Sequence, residues 1–347
     1  MKLPPPSRKV KAAALFASFA SGVLVIALVV AATITRETAP PQKHLGHLHP
    51  PASSNVLKAE QAPPADAKPS PTRADKDLDR TGYSLAGAGA LFVPSSFQSV
   101  DGAFDLLVHF HGNAELVAES AAEAKLDAIL LVVNIGISSG PYETRYSMPA
   151  MLDYDLSRVL AVLQARGLKD PHLRRLALSA WSAGYGAIVR LLGFEAIFER
   201  VTAVLLCDGM HAGFSDKRTR EVDMDRIEPF VHFGREASLG KKLFVMTHSE
   251  VGEFRYATTT ETSSALLSAL GIYRDRKTDW PDHPSFSRSR TVMTTESWLE
   301  QRSDARRGDL HISGYRGFRE DDHIAHLAQM STTVLPELVA YWAKTKR

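Results

Sequence analysis

Ser182 lies in the stretch LALSAWSAGYG, Leu176 to Gly186, where a short apolar run gives way to small residues and then to a helical pattern. A serine hydroxyl becomes an effective nucleophile only when a base takes its proton. A strand, a tight turn and a helix can lift such a serine clear of its surroundings. The residues two before and two after it must then be small, because the strand and helix backbones close on each other there. Ala180 and Gly184 meet that condition, with Ala180 standing where glycine is more usual. The same serine would also suit a helix N-cap, so the residues elsewhere in the chain have to separate the two readings.

A base is offered late in the chain, in SGYRGFREDDHIAHLAQM. His323 is expected in a loop just before the last helix, where its ring can reach over to the serine. His326, one turn further on, is expected to pack or cap, and His311 to lie within a strand. Two carboxylates placed just after strand-like runs fall between serine and histidine in the order Ser…Asp/Glu…His. Asp208 directly follows the apolar strand Val201–Cys207, and Glu250 lies three residues past Lys242–Thr247. Asp208 is favoured because a strand edge fixes position best; Glu250 is the alternative acid. Either would hold the imidazole in the needed tautomer and stabilise its cation.

Acyl transfer also needs donors aimed at the developing oxyanion. The apolar Phe104–Phe110 ends in His111-Gly112-Asn113, well upstream of the serine. The amides of Asn113 and Ala183 are the candidate donors, with Gly112 lending the loop its freedom. His111 and Trp181, which flanks the serine, are candidates to line a substrate pocket; Trp181 would serve equally well as core. His109 and His111 alternate in a strand and so face one side, but no firm third ligand accompanies them, and a catalytic zinc site normally needs three. No metal and no cofactor is expected.

Lys plus Arg number 41 against 39 Asp plus Glu. That balance, with no basic stripe interleaved with aromatics, gives no sign of nucleic-acid binding. The single cysteine, Cys207, excludes an internal disulfide and says little about compartment.

These groups need a scaffold that brings strand ends together. Strand-like runs at Ala90–Val93, Phe104–Phe110, Ala128–Ile135, Leu173–Ser179, Val201–Cys207, Lys242–Thr247 and Asp309–Ser313 alternate with helical stretches. The helices are expected at Ala114–Lys125, Met151–Arg166, Gly184–Arg200, Thr260–Leu270 and Ile324–Lys344. Continuous apolar strands separated by helices predict an α/β fold with a mostly parallel central sheet flanked by helices on both faces. Active groups in such sheets gather at the carboxyl ends of the strands.

On HFHGN, AWSAG, LLCDGMH or THSE, and DDHIAHL, taken in that order, the chain from about Tyr83 to Arg347 resembles the α/β-hydrolase superfamily. The resemblance implies an eight-stranded sheet, a Ser-His-acid triad and a covalent acyl-enzyme. It would make Ser182 the nucleophile, His323 the base, Asp208 or Glu250 the acid, and Asn113 and Ala183 the oxyanion donors. Ala212 to Gly240 is expected to form a polar cap over the site, and Asp279 to Gly308 a solvated insertion.

The N-terminus adds a location. Lys2, Arg8, Lys9 and Lys11 precede Ala12 to Ile34, an uncharged and mostly apolar run. A bilayer-spanning helix needs about 20 such residues, whereas the core of a cleaved signal is usually about 7–15. Residues 1–36 are therefore expected to be a signal-anchor, with its basic flank in the cytoplasm, or else a cleaved signal peptide. Residues 37–80, rich in Pro and Ala, are expected to be a disordered linker, its His44, His47 and His49 solvated. The folded domain is expected over 81–347, outside the membrane of a bacterial cell and tethered to it, or secreted if the segment is cleaved. The reading is a serine hydrolase acting on a small or envelope-derived ester, or an amide. A non-catalytic envelope-binding module on the same scaffold is the competing reading, and a metal-dependent hydrolase using His109 and His111 a third.

Overall fold

The computed structural model describes residues 73–252, 255–276 and 299–344. In chain order the elements are β1 (Tyr83–Ala86), β2 (Gly89–Phe92), β3 (Ala103–Phe110), α1 (Ala114–Glu123), β4 (Ile129–Val133), α2 (Ser139–Arg145), α3 (Ala150–Ala165) and β5 (His172–Trp181). There follow α4 (Tyr185–Leu192), α5 (Glu195–Arg200), β6 (Val201–Cys207), β7 (Phe214–Asp216), β8 (Glu221–Val222), α6 (Glu228–Ser238), β9 (Leu243–His248) and α7 (Thr259–Leu270). The chain ends with β10 (Asp275–Arg276), β11 (Gln301–Arg307), β12 (Leu310–Tyr315), α8 (Glu320–Ala328) and α9 (Leu335–Lys344).

One 10-stranded sheet runs β1-β2-β4-β3-β5-β6-β9-β12-β11-β10. The six strands from β4 to β12 pair in parallel, while β1, β2, β11 and β10 join antiparallel at the two edges. The central strands are buried end to end: β4 (ILLVV) and β9 (LFVMTH) have no exposed residue. Side chains alternate between faces with period two, so two cores result. Leu106, Val108 and Phe110 of β3 and Val204 and Leu206 of β6 pack with α3, α4, α6 and α7 on one face. Leu107 of β3 and Leu205 and Cys207 of β6 pack with α1, α8 and α9 on the other. Helices cover both faces, as continuous apolar strands require.

Several elements differ from the sequence expectation. Among the described residues the sheet has ten strands rather than eight, because β11 and β10 extend it past β12. β11 falls in the stretch expected to be a solvated insertion; the part of that stretch from 279 to 298 lies outside the described residues, with Trp280 and Trp298. The helix expected over Gly184–Arg200 is two, broken where Phe194 takes an extended backbone (φ −100°, ψ 115°). The last helix is also two, α8 and α9. The expected cap, Ala212 to Gly240, is only partly one: β7 and β8 form a small hairpin, but Phe230, Phe233 and Ala237 of α6 are fully buried. Their i, i+3, i+7 spacing makes α6 the crossover from β6 to β9, packed on the sheet.

Among the described residues packing is present from Arg73 onward, ahead of the boundary expected at 81. Ala74 and Leu78 are buried, and Arg73 and Arg80 both pair with buried Asp75, at 2.8 and 2.6 Å. The expected anchor Ala12–Ile34 and the linker as far as residue 72, including His44, His47 and His49, lie outside the described residues. Among the described residues no helix is long and apolar enough to cross a membrane.

Candidate active site

The register of the parallel strands fixes which residues can meet. Phe110 of β3 lies beside Ala180 of β5, Trp181 beside Cys207 of β6, and Cys207 beside Thr247 of β9. The next residues along, His111, Ser182, Asp208 and His248, therefore cluster at one edge of the sheet. Three of them leave their strands in the left-handed region: His111 at φ 71°, Ser182 at 48° and Asp208 at 47°. Such a backbone costs a non-glycine residue about 1–3 kcal/mol and persists only where the surroundings hold it in place.

Ser182 opens a single 3-10 turn, Ser182–Gly184, that leads into α4. The residue at the α4 N-cap position is Gly184, not Ser182, and no side chain caps that helix. The small residues around the turn are sterically required. A Cβ on Gly184 would lie 2.0 Å from the carbonyl oxygen of Phe110, and one on Gly209 would lie 2.7 and 2.8 Å from the Ser182 O and N. Ala180 is fully buried beneath.

Asp208 is 1% exposed, yet its carboxylate is well supplied with donors. Oδ1 accepts from the Ser249 amide (2.9 Å) and the Thr259 hydroxyl; Oδ2 accepts from Ser249 Oγ (2.7 Å) and from His323 Nδ1 (2.8 Å). Burial alone would raise its pKa, but the neighbouring imidazoles His326 and His323 and these hydrogen bonds outweigh it. The carboxyl is held well below the usual range.

His323 sits in the first turn of α8 rather than in a loop before it. The acidic run Glu320-Asp321-Asp322 suits a helix start, which carries the helix back over the histidine. Trp181 anchors that turn: its indole Nε1 donates to the His323 carbonyl at 2.9 Å, and its ring stacks on the His323 ring at 4.8 Å. The other neighbour in the stack is His111, parallel to Trp181 at 5.2 Å. Trp181 is 4% exposed, so it is part of the core as well as a neighbour of the serine.

Glu250 is exposed, and its backbone amide bonds to Gly317; among the described residues no hydrogen bond joins its carboxylate to His323. His326 is fully buried, bonded through Nδ1 to Thr247 Oγ1 (2.8 Å), with Nε2 3.9 Å from Asp208 Oδ2. Burial pushes its pKa down to about 4, so it backs the acid as a neutral ring. His311 pairs with Glu337 at 2.9 Å.

The loop after β3 is held by several fixed bonds. His109 is buried with both ring nitrogens engaged, Nδ1 with Ser179 Oγ (3.0 Å) and Nε2 with the His111 carbonyl (2.8 Å). It is a strut for this loop. His111 Nδ1 meets the Tyr142 hydroxyl at 3.0 Å. The Gly112 amide donates to Asn134 Oδ1 at 3.0 Å and is committed there, while the Gly112 φ of 122° makes the turn. Gly112 therefore shapes the loop and is not a free oxyanion donor. The Asn113 side chain caps α1 by accepting from the Leu116 amide at 3.0 Å. Its backbone N–H and that of Ala183 lie at the starts of α1 and of the 3-10 turn, where amides lack intrahelical partners.

Sequence reasoning missed the supports: Ser249 and Thr259 around the acid, Asn134 and Tyr142 around the loop. It also missed His211, whose ring sits edge-on between Tyr185 (5.6 Å) and Tyr256 (5.3 Å). Burial, and then the charge of His323, push His211 down to about 4. The available signal was its place three residues after Asp208, in DGMH.

No protein-family model matches the sequence, and no curated protein matches it. Solved structures do. An esterase of the fungus Rhizomucor miehei shares 14% identity over 78% of this chain and 85% of its own, with a TM-score of 0.39. A Thermus thermophilus protein shares 16% over 76% of this chain and 97% of its own, with a TM-score of 0.37. A bifunctional Bacteroides eggerthii protein shares 11% over 56% of this chain, at a TM-score of 0.36; the chain spans 33% of its length. The functional reading rests on the geometry of the site itself.

Proposed function

We propose that residues 73–347 form a serine hydrolase of the α/β-hydrolase type, with Ser182 as nucleophile, His323 as base and Asp208 as acid. The observation that carries this reading is the pair of left-handed strand ends, Ser182 and Asp208, with Asp208 Oδ2 bonded to His323 Nδ1 at 2.8 Å. The strand order, with the site at the carboxyl edge of the parallel strands, supports the same reading.

With Nδ1–H given to Asp208, the proton-accepting nitrogen of His323 is Nε2. Among the described residues no hydrogen bond engages Nε2 or the Ser182 hydroxyl. A substrate would complete the site: His323 Nε2 takes the proton as Ser182 Oγ attacks the carbonyl carbon. The oxyanion forms against the amides of Ala183 and Asn113. The imidazolium then gives its proton to the leaving oxygen, the C–O bond breaks, and an acyl-serine remains. Water repeats the sequence with the same base and releases the acid. Asp208, desolvated and fully hydrogen-bonded, stabilises the imidazolium in each half without taking the proton. An ester is the favoured substrate bond, since its leaving group asks least of this acid. Turnover of short-chain p-nitrophenyl esters by the purified protein, lost in Ser182→Ala, is the expected result. Turnover unchanged in that variant would remove Ser182 from the chemistry.

The same proposal places the domain on the outer side of the cytoplasmic membrane, tethered through Ala12–Ile34. Full-length protein should sediment with membranes and be released by protease cutting before residue 73. Recovery of a shortened soluble form without protease would instead mean a cleaved signal.

A further inference from the structure

Trp181 touches or adjoins every working part of the proposed active centre. It precedes Ser182 in the chain. Its indole Nε1–H donates to the His323 carbonyl at 2.9 Å, a link between residues 142 positions apart. Its ring also stacks on the His323 imidazole, centroids 4.8 Å apart and planes at 30°. His111, which leads into Gly112 and Asn113, lies parallel to the same indole at 5.2 Å and 9°. One side chain therefore contacts the base and the loop of the oxyanion donors, and its backbone is joined to the nucleophile.

The base needs such a partner. The bond from His323 Nδ1 to Asp208 Oδ2, 2.8 Å long, fixes one atom of the ring. It leaves the ring free to swing about that bond, because the second torsion of a histidine side chain has broad minima. Such a swing displaces Nε2, the atom that has to meet the Ser182 hydroxyl. A flat surface against the imidazole removes this freedom. The backbone needs fixing too: His323 lies in the first turn of α8, and helix ends fray. The indole N–H holds the carbonyl of that turn. Trp181 is itself well held, 4% exposed and packed in one core with Leu116, Val117 and Leu327. His111 is tied in turn to the Tyr142 hydroxyl at 3.0 Å. The indole face also attracts a cation within about 6 Å, so the stack favours His323 in the state that carries the serine's proton.

We infer that Trp181 is the positioning residue of the base. Its N–H sets the His323 backbone, its ring sets the tilt of the imidazole, and its contact with His111 ties both to the loop that bears Asn113. This role rests on the hydrolase reading. Trp181 touches no reacting atom and has little surface to offer a substrate, so it acts on kcat and not on substrate affinity.

Two variants of the whole protein separate the two handles. Trp181→Phe keeps an aromatic face and loses the N–H; Trp181→Leu loses both. On p-nitrophenyl acetate, Trp181→Phe should lower kcat by about three- to tenfold, as for one neutral hydrogen bond. Trp181→Leu should lower it by about 10²-fold, as for a catalytic group displaced by about 1 Å. KM should stay within about twofold of wild type in both. Crystal structures add a readout that needs no turnover: the His323 ring should keep one orientation in Trp181→Phe and take a second in Trp181→Leu. Should Trp181→Leu fail to fold, Trp181→Phe decides, and wild-type kcat there overturns the proposal. A Trp181→Leu protein with kcat within threefold of wild type, a loss carried by KM, or a single His323 orientation would also overturn it. A wild-type protein without esterase turnover would be a failure of the hydrolase reading, and the ring orientation would then decide the positioning role by itself.

Discussion

Asp208 Oδ2 accepts a hydrogen bond from His323 Nδ1 at 2.8 Å, joining residues 115 positions apart in the chain. Glu250, the other acid in the right order, has no such bond among the described residues. The bond fixes which ring nitrogen stays free, so its loss should trap the wrong tautomer. Asp208→Asn is expected to lower kcat on an ester by about 10⁴-fold, the scale seen when a triad acid becomes an amide. Glu250→Gln should stay within about threefold of wild type, as an exposed carboxylate outside the triad would. Steady-state kinetics on both variants check this; the reverse ranking would make Glu250 the acid.

Gly209 and Ser182 press backbone against backbone. A methyl at 209 would sit 2.7 Å from the Ser182 carbonyl oxygen and 2.8 Å from its nitrogen, well inside van der Waals contact. Neither backbone can yield without moving the serine. Gly209→Ala should therefore lower kcat by about 10²-fold, the cost of displacing a catalytic group by about 1 Å, and destabilise the fold by about 1–3 kcal/mol. Wild-type kcat in this variant would mean the turn is not positioning Ser182.

How much of this can be read from the sequence follows from where the information sits. Central strands are continuous apolar runs, so Val201–Cys207 is legible to the residue and β3, β5 and β9 within a few. The edge strands β10 and β11 are polar (DR, QRSDARR), and β10 is only two residues long, so neither shows the apolar run that marks the central strands. α6 is hidden because its exposed face is heavily charged, although Phe230, Phe233 and Ala237 keep the helical spacing. Ser182, Asp208 and His323 are visible because each follows a strand or opens the last helical stretch. The choice between Asp208 and Glu250 is not visible, since it depends on Ser249, Thr259 and the fold of α8, which bring four donors around one carboxylate. Nothing in the sequence ties the Gly112 amide to the Asn134 side chain, 22 residues further on.

Acid should unfold the protein at pH values where carboxylates still carry charge. Burial is the main cause holding His109 to about 3, and His111, His211 and His326 to about 4, with His248 well below its ordinary 6.5. In the unfolded chain these rings take protons near 6.5. From there down to about 4 the unfolded state binds more protons, so stability falls as pH falls, by about 1.4 kcal/mol per pH unit for each full proton of difference. Asp208 adds to the loss at lower pH: its depressed pKa stabilises the fold above the unfolded carboxylate value, and the gain disappears as pH drops below it. Urea midpoints at pH 7.5, 6 and 5 should decrease in that order. A flat profile would mean these rings are solvated.

The most direct test of the hydrolase reading is labelling of the protein with a fluorophosphonate, followed by peptide mass spectrometry. Attack by an activated serine displaces fluoride and leaves a stable adduct on its oxygen. The account predicts one adduct, on Ser182, formed quickly in wild type and lost in His323→Ala. A folded protein that shows no adduct, or one on another serine, would contradict it.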